Sequence, residues 1–200
     1  KAFVLAAAVE QGIPLNTQIQ APETRTFKQN EFKVCNGQNF SNPADYPVSN
    51  STSSGNFNLY QGTQLSVNTF YIALSQRVGL CKPFTLAKQM GIVGLKGKEG
   101  ADRWMVPSFA LGVASVSPLE MAEAYATFAE RGLHCTSRPV TSIEDMAGNT
   151  LKEYPTKCRQ VMENSTADAV NDVLRGVIEP GGFASSWQLD SPAAGKTGTT

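Results

Sequence analysis

Residues 193–200 read Ala-Ala-Gly-Lys-Thr-Gly-Thr-Thr, and their small side chains predict a strand that permits close backbone approach. Lys196 supplies a positive charge, and Thr197 and Thr199 supply hydroxyl donors. Gly198 removes the side chain that would block a ligand. A cation, two hydroxyls and a glycine on an edge strand suit the carboxylate of a substrate. The alternative is a plain edge strand whose lysine discourages edge-to-edge pairing.

A second motif, Ser66-Val67-Asn68, lies at a junction between predicted helices, where a hydroxyl and an amide can both face a cavity. The alternative is that Ser66 or Asn68 simply caps the helix that follows. By itself the motif favours the capping role.

The third feature is Lys1, which heads the apolar run Ala2-Phe-Val-Leu-Ala-Ala-Ala-Val-Glu. A serine three places before this lysine would stand one helical turn away, within reach of its amine. Taken alone, Lys1 would be interpreted as the solvated end of a helix, and only the other two motifs favour a catalytic role.

The order of these motifs is more informative than any one of them. Lysine, Ser-x-Asn and Lys-Thr-Gly occur here in the order that they have in the serine β-lactamase and penicillin-binding superfamily, where the lysine belongs to Ser-x-x-Lys. The text between them resembles the transpeptidase domain of class A penicillin-binding proteins over the whole chain. The resembling stretches are Phe3-Val-Leu-Ala-Ala, Ala110-Leu-Gly, Ser117-Pro-Leu-Glu-Met-Ala-Glu-Ala-Tyr-Ala-Thr-Phe-Ala, Gly176-Val-Ile-Glu-Pro-Gly-Gly and Ala194-Gly-Lys-Thr-Gly-Thr-Thr.

The resemblance implies an α+β fold of the β-lactamase/transpeptidase-like type, with mostly the helical subdomain and the Lys-Thr-Gly strand present in this chain. Residues 1–200 would then be a partial transpeptidase domain, truncated at both ends. The nucleophilic serine would precede Lys1, and further sheet strands would follow the Lys-Thr-Gly strand. We therefore expect the chain by itself neither to catalyse nor to fold stably.

The resemblance also implies roles for the motif residues. In the family a serine attacks the carbonyl of a D-Ala-D-Ala bond and passes the acyl group to an amine. Lys1 would be the base that activates this serine. Ser66 would relay a proton to the leaving nitrogen, and Asn68 would bind the substrate backbone and steady Lys1. Lys196 would be the cation that helps to keep the amine of Lys1 neutral part of the time.

The Lys-Thr-Gly segment would bind the other end of the substrate. Thr197 and Thr199 would hold the terminal carboxylate, with Gly198 leaving room for it. The backbone N–H of Thr199 would join that of the missing serine in the oxyanion hole, where each donor contributes roughly 3 kcal/mol.

The implied partners are a peptidoglycan stem peptide ending in D-Ala-D-Ala and the β-lactam antibiotics that resemble it. No cofactor or metal is expected. The remainder of a longer parent chain would include a glycosyltransferase domain and a membrane anchor, and would place this domain on the extracytoplasmic face of the bacterial cell membrane.

Composition agrees with this picture. The 17 basic and 17 acidic residues balance, so no overall field favours nucleic acid. Hydrophobic residues make up 41% of the chain, as expected of a globular domain. No apolar run approaches the roughly 20 residues that span a bilayer. The sequence starts at Lys1 and shows neither an initial methionine nor a signal-peptide pattern, which predicts that the chain is a piece of a longer protein.

Four cysteines are present, without the CxxC spacing of a zinc site, and His134 is the only histidine. Residues 138–154 read as two short strands about a Gly-Asn turn, and that hairpin would place Cys135 opposite Cys158. A disulfide is therefore predicted there, with a pair of free thiols as the alternative, and Cys35 to Cys81 follows by elimination. Oxidised cysteines would indicate an extracytoplasmic compartment.

Helical patterns supply the rest of the fold. Ser117-Pro-Leu-Glu predicts a capping box at the start of the clearest helix. Left-handed caps are predicted at Gly79 and Gly91. The predicted helices cover residues 2–11, 69–78, 83–90, 117–131 and 165–178.

Rival functions share parts of this pattern. A β-lactamase or carboxypeptidase would pass the acyl group to water, which favours a carboxylate placed to activate that water. Glu120 and Glu123 are better explained by capping and by a solvated helix face. A non-enzymatic β-lactam sensor and a purely structural extracellular module are the remaining alternatives.

Overall fold

The computed structural model describes residues 1–95 and 103–198. The helices are α1 (Ala2–Glu10), α2 (Leu59–Gln64), α3 (Asn68–Val78), α4 (Cys81–Gln89), α5 (Pro118–Ala129) and α6 (Asn164–Ile178). The strands are β1 (Ile19–Ala21), β2 (Thr24–Lys28), β3 (Asp45–Ser49), β4 (Gly55–Phe57), β5 (Leu133–Cys135), β6 (Ser142–Glu144), β7 (Thr150–Glu153) and β8 (Cys158–Gln160). A 3-10 turn covers Pro107–Leu111. Within the described part of the chain, no helix is both long and apolar enough to cross a bilayer.

Helix α1 lies at the centre of the fold. It is apolar nearly all round, and its residues from Ala2 to Ala8 are buried. Helices α3, α4 and α6 pack around it. Burying this helix on every side fixes the position of its first turn, where Lys1 stands.

The predicted helices are confirmed with small shifts at their ends. The capping box at Ser117 is present, with the Ser117 side chain accepting from the N–H of Glu120 and the Glu120 side chain accepting from that of Ser117. Gly91 has a positive φ of 95° and closes α4 as predicted. Gly79 does not form a left-handed cap, because its φ of 79° is combined with an extended ψ of 169°. The chain therefore leaves α3 extended and turns directly into α4.

The strands form antiparallel pairs. β1 pairs with β4, β2 with β3, β5 with β8 and β6 with β7. The predicted hairpin is confirmed, and the register of β5 and β8 sets Cys135 opposite Cys158. These two cysteines form a disulfide, and Cys35 forms another with Cys81. The second disulfide ties the loop after β2 to the first turn of α4.

The strand predicted over residues 193–200 is not observed over 193–198, and residues 199–200 lie outside the described part. A strand requires a ladder of hydrogen bonds to a neighbour. In this segment Gly195 donates to the carbonyl of Leu174 in α6, at 3.3 Å. The segment is thus held against a helix, and none of the described strands pairs with it.

Two helical glycines give a matched test of the packing. A Cβ on Gly62 in α2 would lie 2.6 Å from the ring of Phe70 in α3, whereas one on Gly176 in α6 would meet no atom within 4 Å. We expect Gly62→Ala to lower the free energy of unfolding by about 1–3 kcal/mol. Gly176→Ala should raise it by up to about 1 kcal/mol. Urea denaturation of the full-length protein measures both changes, and equal shifts would contradict the close approach of α2 and α3.

Candidate active site

A cleft of about 620 Å³ opens beside the first turn of α1. One end is polar and is lined by the motif residues of all three segments. The other end is mainly apolar and is walled by residues of α5 and of the 3-10 turn at 107–111. The polar lining residues are Lys1, Ser51, Thr52, Ser66, Asn68, Lys196 and Thr197.

Lys1 points across the cleft to the Ser-x-Asn motif. Its Nζ donates to the carbonyl oxygen of Ser66 at 2.9 Å, to Ser66 Oγ at 3.1 Å and to Asn68 Oδ1 at 2.7 Å. An ammonium has three hydrogens, so each finds an acceptor. The interpretation of Lys1 as a solvated helix end is therefore wrong.

Ser66 lies in the turn between α2 and α3, with a positive φ of 56°. A non-glycine residue in this left-handed region is strained, and such strain concentrates at functional sites. The turn presents both oxygens of Ser66 to Lys1. The sequence motif contains no signal for this backbone conformation.

The capping alternative for Ser66 and Asn68 is wrong. Helix α3 begins at Asn68 without a cap from its preceding residue. Its Thr69 N–H instead donates to Oδ1 of Asn50 at 2.8 Å. Asn50 belongs to the Ser- and Asn-rich loop before β4. The loop therefore caps the helix in place of Asn68. The Asn68 side chain is then available to accept from Lys1 while its Nδ2 donates to the carbonyl of Ser49 at 3.0 Å.

Lys196 enters the same cluster from the far end of the chain. Its Nζ donates to Ser66 Oγ at 2.6 Å, although the two residues are 130 positions apart. It also contacts Thr197 Oγ1 at 3.1 Å. A Cβ on Gly198 would meet no protein atom within 4 Å, so the space beside it is open to a ligand. Thr199 lies outside the described residues.

Burial changes the protonation of both lysines. It lowers the pKa of Lys1 from 10.5 to about 8. It also lowers the pKa of Lys196 from 10.5 to about 7, and the neighbouring charge of Lys1 contributes to that shift. Loss of water around a cation favours its neutral form. A neutral amine, which can accept a proton, is therefore accessible near neutral pH.

These pKa values predict how stability depends on pH. Below their ordinary pKa of 10.5 the unfolded lysines are protonated, whereas the folded ones have lost protons above about pH 7 to 8. The unfolded state then binds more protons, so the free energy of unfolding should rise between about pH 7 and 10. Urea denaturation of the full-length protein at several pH values tests this rise. The variant with Lys1→Met and Lys196→Met should lose part of it, and an unchanged slope would contradict the assignment.

The sequence motifs did not indicate Tyr71, whose aromatic ring lies beside the ammonium of Lys1. The Lys1 Nζ lies 5.8 Å from the centre of the Tyr71 ring, and this side chain is fully buried. The Tyr71 hydroxyl is 2.6 Å from Oγ1 of Thr63. The only available signal was its place three residues after Asn68, one helical turn along α3.

The two carboxylates of α5 are engaged elsewhere. Glu120 forms the predicted capping box and also accepts from the N–H of Gly94 at 2.7 Å. Glu123 does not lie on a solvated face as predicted. Its carboxylate lies 3.3 Å from Nε2 of the buried His134 and accepts from the N–H of Ser137 at 2.9 Å. The returning strand β5 covers this part of α5, which the helical pattern could not reveal.

Comparison with solved structures identifies the class of fold. Penicillin-binding protein 1A from Haemophilus influenzae has a TM-score of 0.79 at 22% identity, over 100% of this chain and 33% of that chain. The D,D-transpeptidase domain of a peptidoglycan glycosyltransferase from Eggerthella lenta has a TM-score of 0.72 at 23% identity, over 98% of this chain and 51% of that one. The fold is thus of the β-lactamase/transpeptidase-like class, as the resemblance implied.

Sequence comparison is more specific. The family model described as the penicillin binding protein transpeptidase domain matches residues 1–200, and the chain belongs to this family. Penicillin-binding protein 2a of Streptococcus pneumoniae is 29% identical over 197 residues, which cover 98% of this chain and 24% of that protein. Penicillin-binding protein 1A of Aquifex aeolicus is 32% identical over 146 residues, 73% of this chain and 19% of that protein. The chain spans about a quarter or less of these relatives.

Proposed function

We propose that this chain forms part of a serine D,D-transpeptidase that cross-links peptidoglycan stem peptides and is inhibited by β-lactams. The observation that carries the proposal is the convergence of Lys1 and Lys196 on the single hydroxyl of Ser66, at 3.1 and 2.6 Å. Three segments far apart in sequence supply these groups. Family membership supplies the reaction class.

The reaction begins at a serine three residues before Lys1 in the longer protein. Neutral Lys1 accepts the hydroxyl proton while the serine oxygen attacks the carbonyl carbon of the D-Ala-D-Ala bond. The terminal carboxylate of the substrate favours the protonated form of Lys196, and the charge of Lys196 and the hydroxyl of Thr197 then hold that carboxylate. Asn68 binds the peptide backbone of the substrate through its amide.

Ser66 connects the two lysines and completes the proton path. Its oxygen accepts hydrogen bonds from both amines, which leaves its own hydrogen directed towards the cleft. When the tetrahedral intermediate collapses, Ser66 gives this proton to the departing D-alanine nitrogen and regains one from a lysine. The acyl-enzyme is then attacked by an amine of a neighbouring stem peptide, which regenerates the serine.

Transfer to an amine is favoured over hydrolysis by the lining of the cleft. Hydrolysis of the acyl-enzyme is favoured by a carboxylate that is placed to activate water. Among the described residues that line the cleft, none is an aspartate or a glutamate. Glu120 and Glu123, on the helix that walls the cleft, are engaged by a helix N-terminus and by a histidine.

The length of the relatives supports a longer parent protein. We infer that residues 1–200 are a partial transpeptidase domain, truncated at both ends, of a class A penicillin-binding protein. Its glycosyltransferase domain and membrane anchor would lie elsewhere in that protein. The structural relative from Eggerthella lenta is likewise a transpeptidase domain of a peptidoglycan glycosyltransferase. Two disulfides fit an extracytoplasmic location.

Mass spectrometry of the full-length protein after incubation with benzylpenicillin tests the proposal. We expect one covalent adduct, mapped by peptide analysis to a serine three residues before Lys1. Release of D-alanine with formation of a cross-linked dimer from synthetic stem peptides would identify the acceptor as an amine. A folded protein that forms no adduct would contradict the proposal.

A further inference from the structure

The loop between β3 and β4 forms part of the cleft wall. Residues 50–54 read Asn-Ser-Thr-Ser-Ser, and of these Ser51 and Thr52 line the cleft together with Asn68 and Lys196. The loop thus places two hydroxyl-bearing residues beside the cavity in which the lysines lie. None of the three sequence motifs includes it.

The loop is fastened to the helix that carries the Ser-x-Asn motif. Asn68 Nδ2 donates to the carbonyl of Ser49 at 3.0 Å, and the N–H of Thr69 donates to Asn50 Oδ1 at 2.8 Å. Asn50 Nδ2 is held in turn by the carbonyl of Pro22 at 3.0 Å. The backbone just before Thr52 is therefore fixed relative to Asn68, as a binding group must be.

Thr52 carries an unexplained polar atom. Its Oγ1 is buried and has no hydrogen-bond partner among the described residues. The buried Glu10 Oε2 also lacks a directional hydrogen bond, but it is 2.8 Å from the ammonium of Lys82 and so is compensated by charge. A buried hydroxyl without a partner destabilises a fold, and such a group in a native structure calls for an explanation.

We propose that the Thr52 hydroxyl binds the peptide backbone of the acyl-donor stem peptide, an inference that rests on the proposed function. A rotation about χ1 redirects the hydroxyl into the cleft while the anchored backbone stays in place. A hydroxyl both donates and accepts, so it can pair with an amide N–H or a carbonyl of the peptide. In the complex the Thr52 hydroxyl thus gains the hydrogen-bond partner that it lacks in the free protein.

Substitution of Thr52 tests this role in the full-length protein. Thr52→Val keeps the shape of the side chain and removes the hydroxyl. We expect kcat/KM for D-alanine release from a synthetic pentapeptide ending in D-Ala-D-Ala to fall about three- to tenfold, the effect of one neutral hydrogen bond. The unfolding midpoint should stay the same or rise, because the unpaired buried hydroxyl is gone. Thr52→Ser should keep the wild-type kcat/KM.

Ser54→Ala is the matched control, since Ser54 belongs to the same loop and is exposed. A Thr52→Val variant that releases D-alanine as fast as this control would overturn the inference. So would a loss of activity accompanied by a lower unfolding midpoint, which would mark Thr52 as structural. The benzylpenicillin adduct distinguishes a failure of the proposed function from a failure of the role of Thr52. A wild-type protein without an adduct refutes the proposed function, whereas a wild type with an adduct and an unaffected Thr52→Val variant refutes only the role of Thr52.

Discussion

Replacing Lys1 by methionine in the full-length protein should lower the rate of acylation by benzylpenicillin about 10²- to 10⁴-fold, the range expected for loss of a general base. Methionine keeps the length of the side chain but cannot accept a proton. It also removes the three hydrogen bonds that Lys1 makes to Ser66 and Asn68. Stopped-flow or mass-spectrometric acylation kinetics would measure the loss.

A second variant at Lys1 distinguishes its role as a base from its positive charge, and a variant at an exposed lysine is the control. Lys1→Arg keeps a cation, but a guanidinium stays protonated at every accessible pH, so it should be as inactive as Lys1→Met. Lys157→Met removes an exposed lysine outside the cleft and should leave the acylation rate unchanged. An active Lys1→Arg variant would show that the positive charge, and not the neutral amine, is what the reaction needs.

The second large effect is expected at Ser66. Ser66→Ala removes the oxygen on which both lysines converge and should lower the turnover of stem peptides about 100-fold or more. The proton path to the leaving nitrogen is then broken. The assay is D-alanine release from a synthetic pentapeptide, with thermal unfolding as a check of the fold.

The backbone at Ser66 offers its own control. Its φ of 56° suits glycine better than alanine, so Ser66→Gly should unfold at a higher free energy than Ser66→Ala, by about 1 kcal/mol. Both variants lack the hydroxyl and should lose activity alike. If Ser66→Gly kept wild-type turnover, the hydroxyl would not be the proton relay and the effect of alanine would be one of strain.

Local patterns were sufficient where the determining interactions are themselves local. The capping box at Ser117 depends on residues three positions apart, and it is present as predicted. The pairing of Cys135 with Cys158 follows from a short hairpin, which is also present. The failures are of the opposite kind. Glu123 lies on a helix whose pattern indicated solvent, and a strand that follows later in the chain brings His134 against it.

The site shows the same division. The sequence alone determined which residue types are present and in which order the motifs occur. Because the order of motifs is a property of the chain and needs no folding, it was sufficient to indicate the family. The tertiary structure decided that Lys1, Ser66 and Lys196 meet at one oxygen and that burial lowers both lysine pKa values. It also decided that Asn50, and not the motif itself, caps α3. Distances, desolvation and shared acceptors depend on residues up to 130 positions apart, and such contacts exist only once the chain has packed around α1.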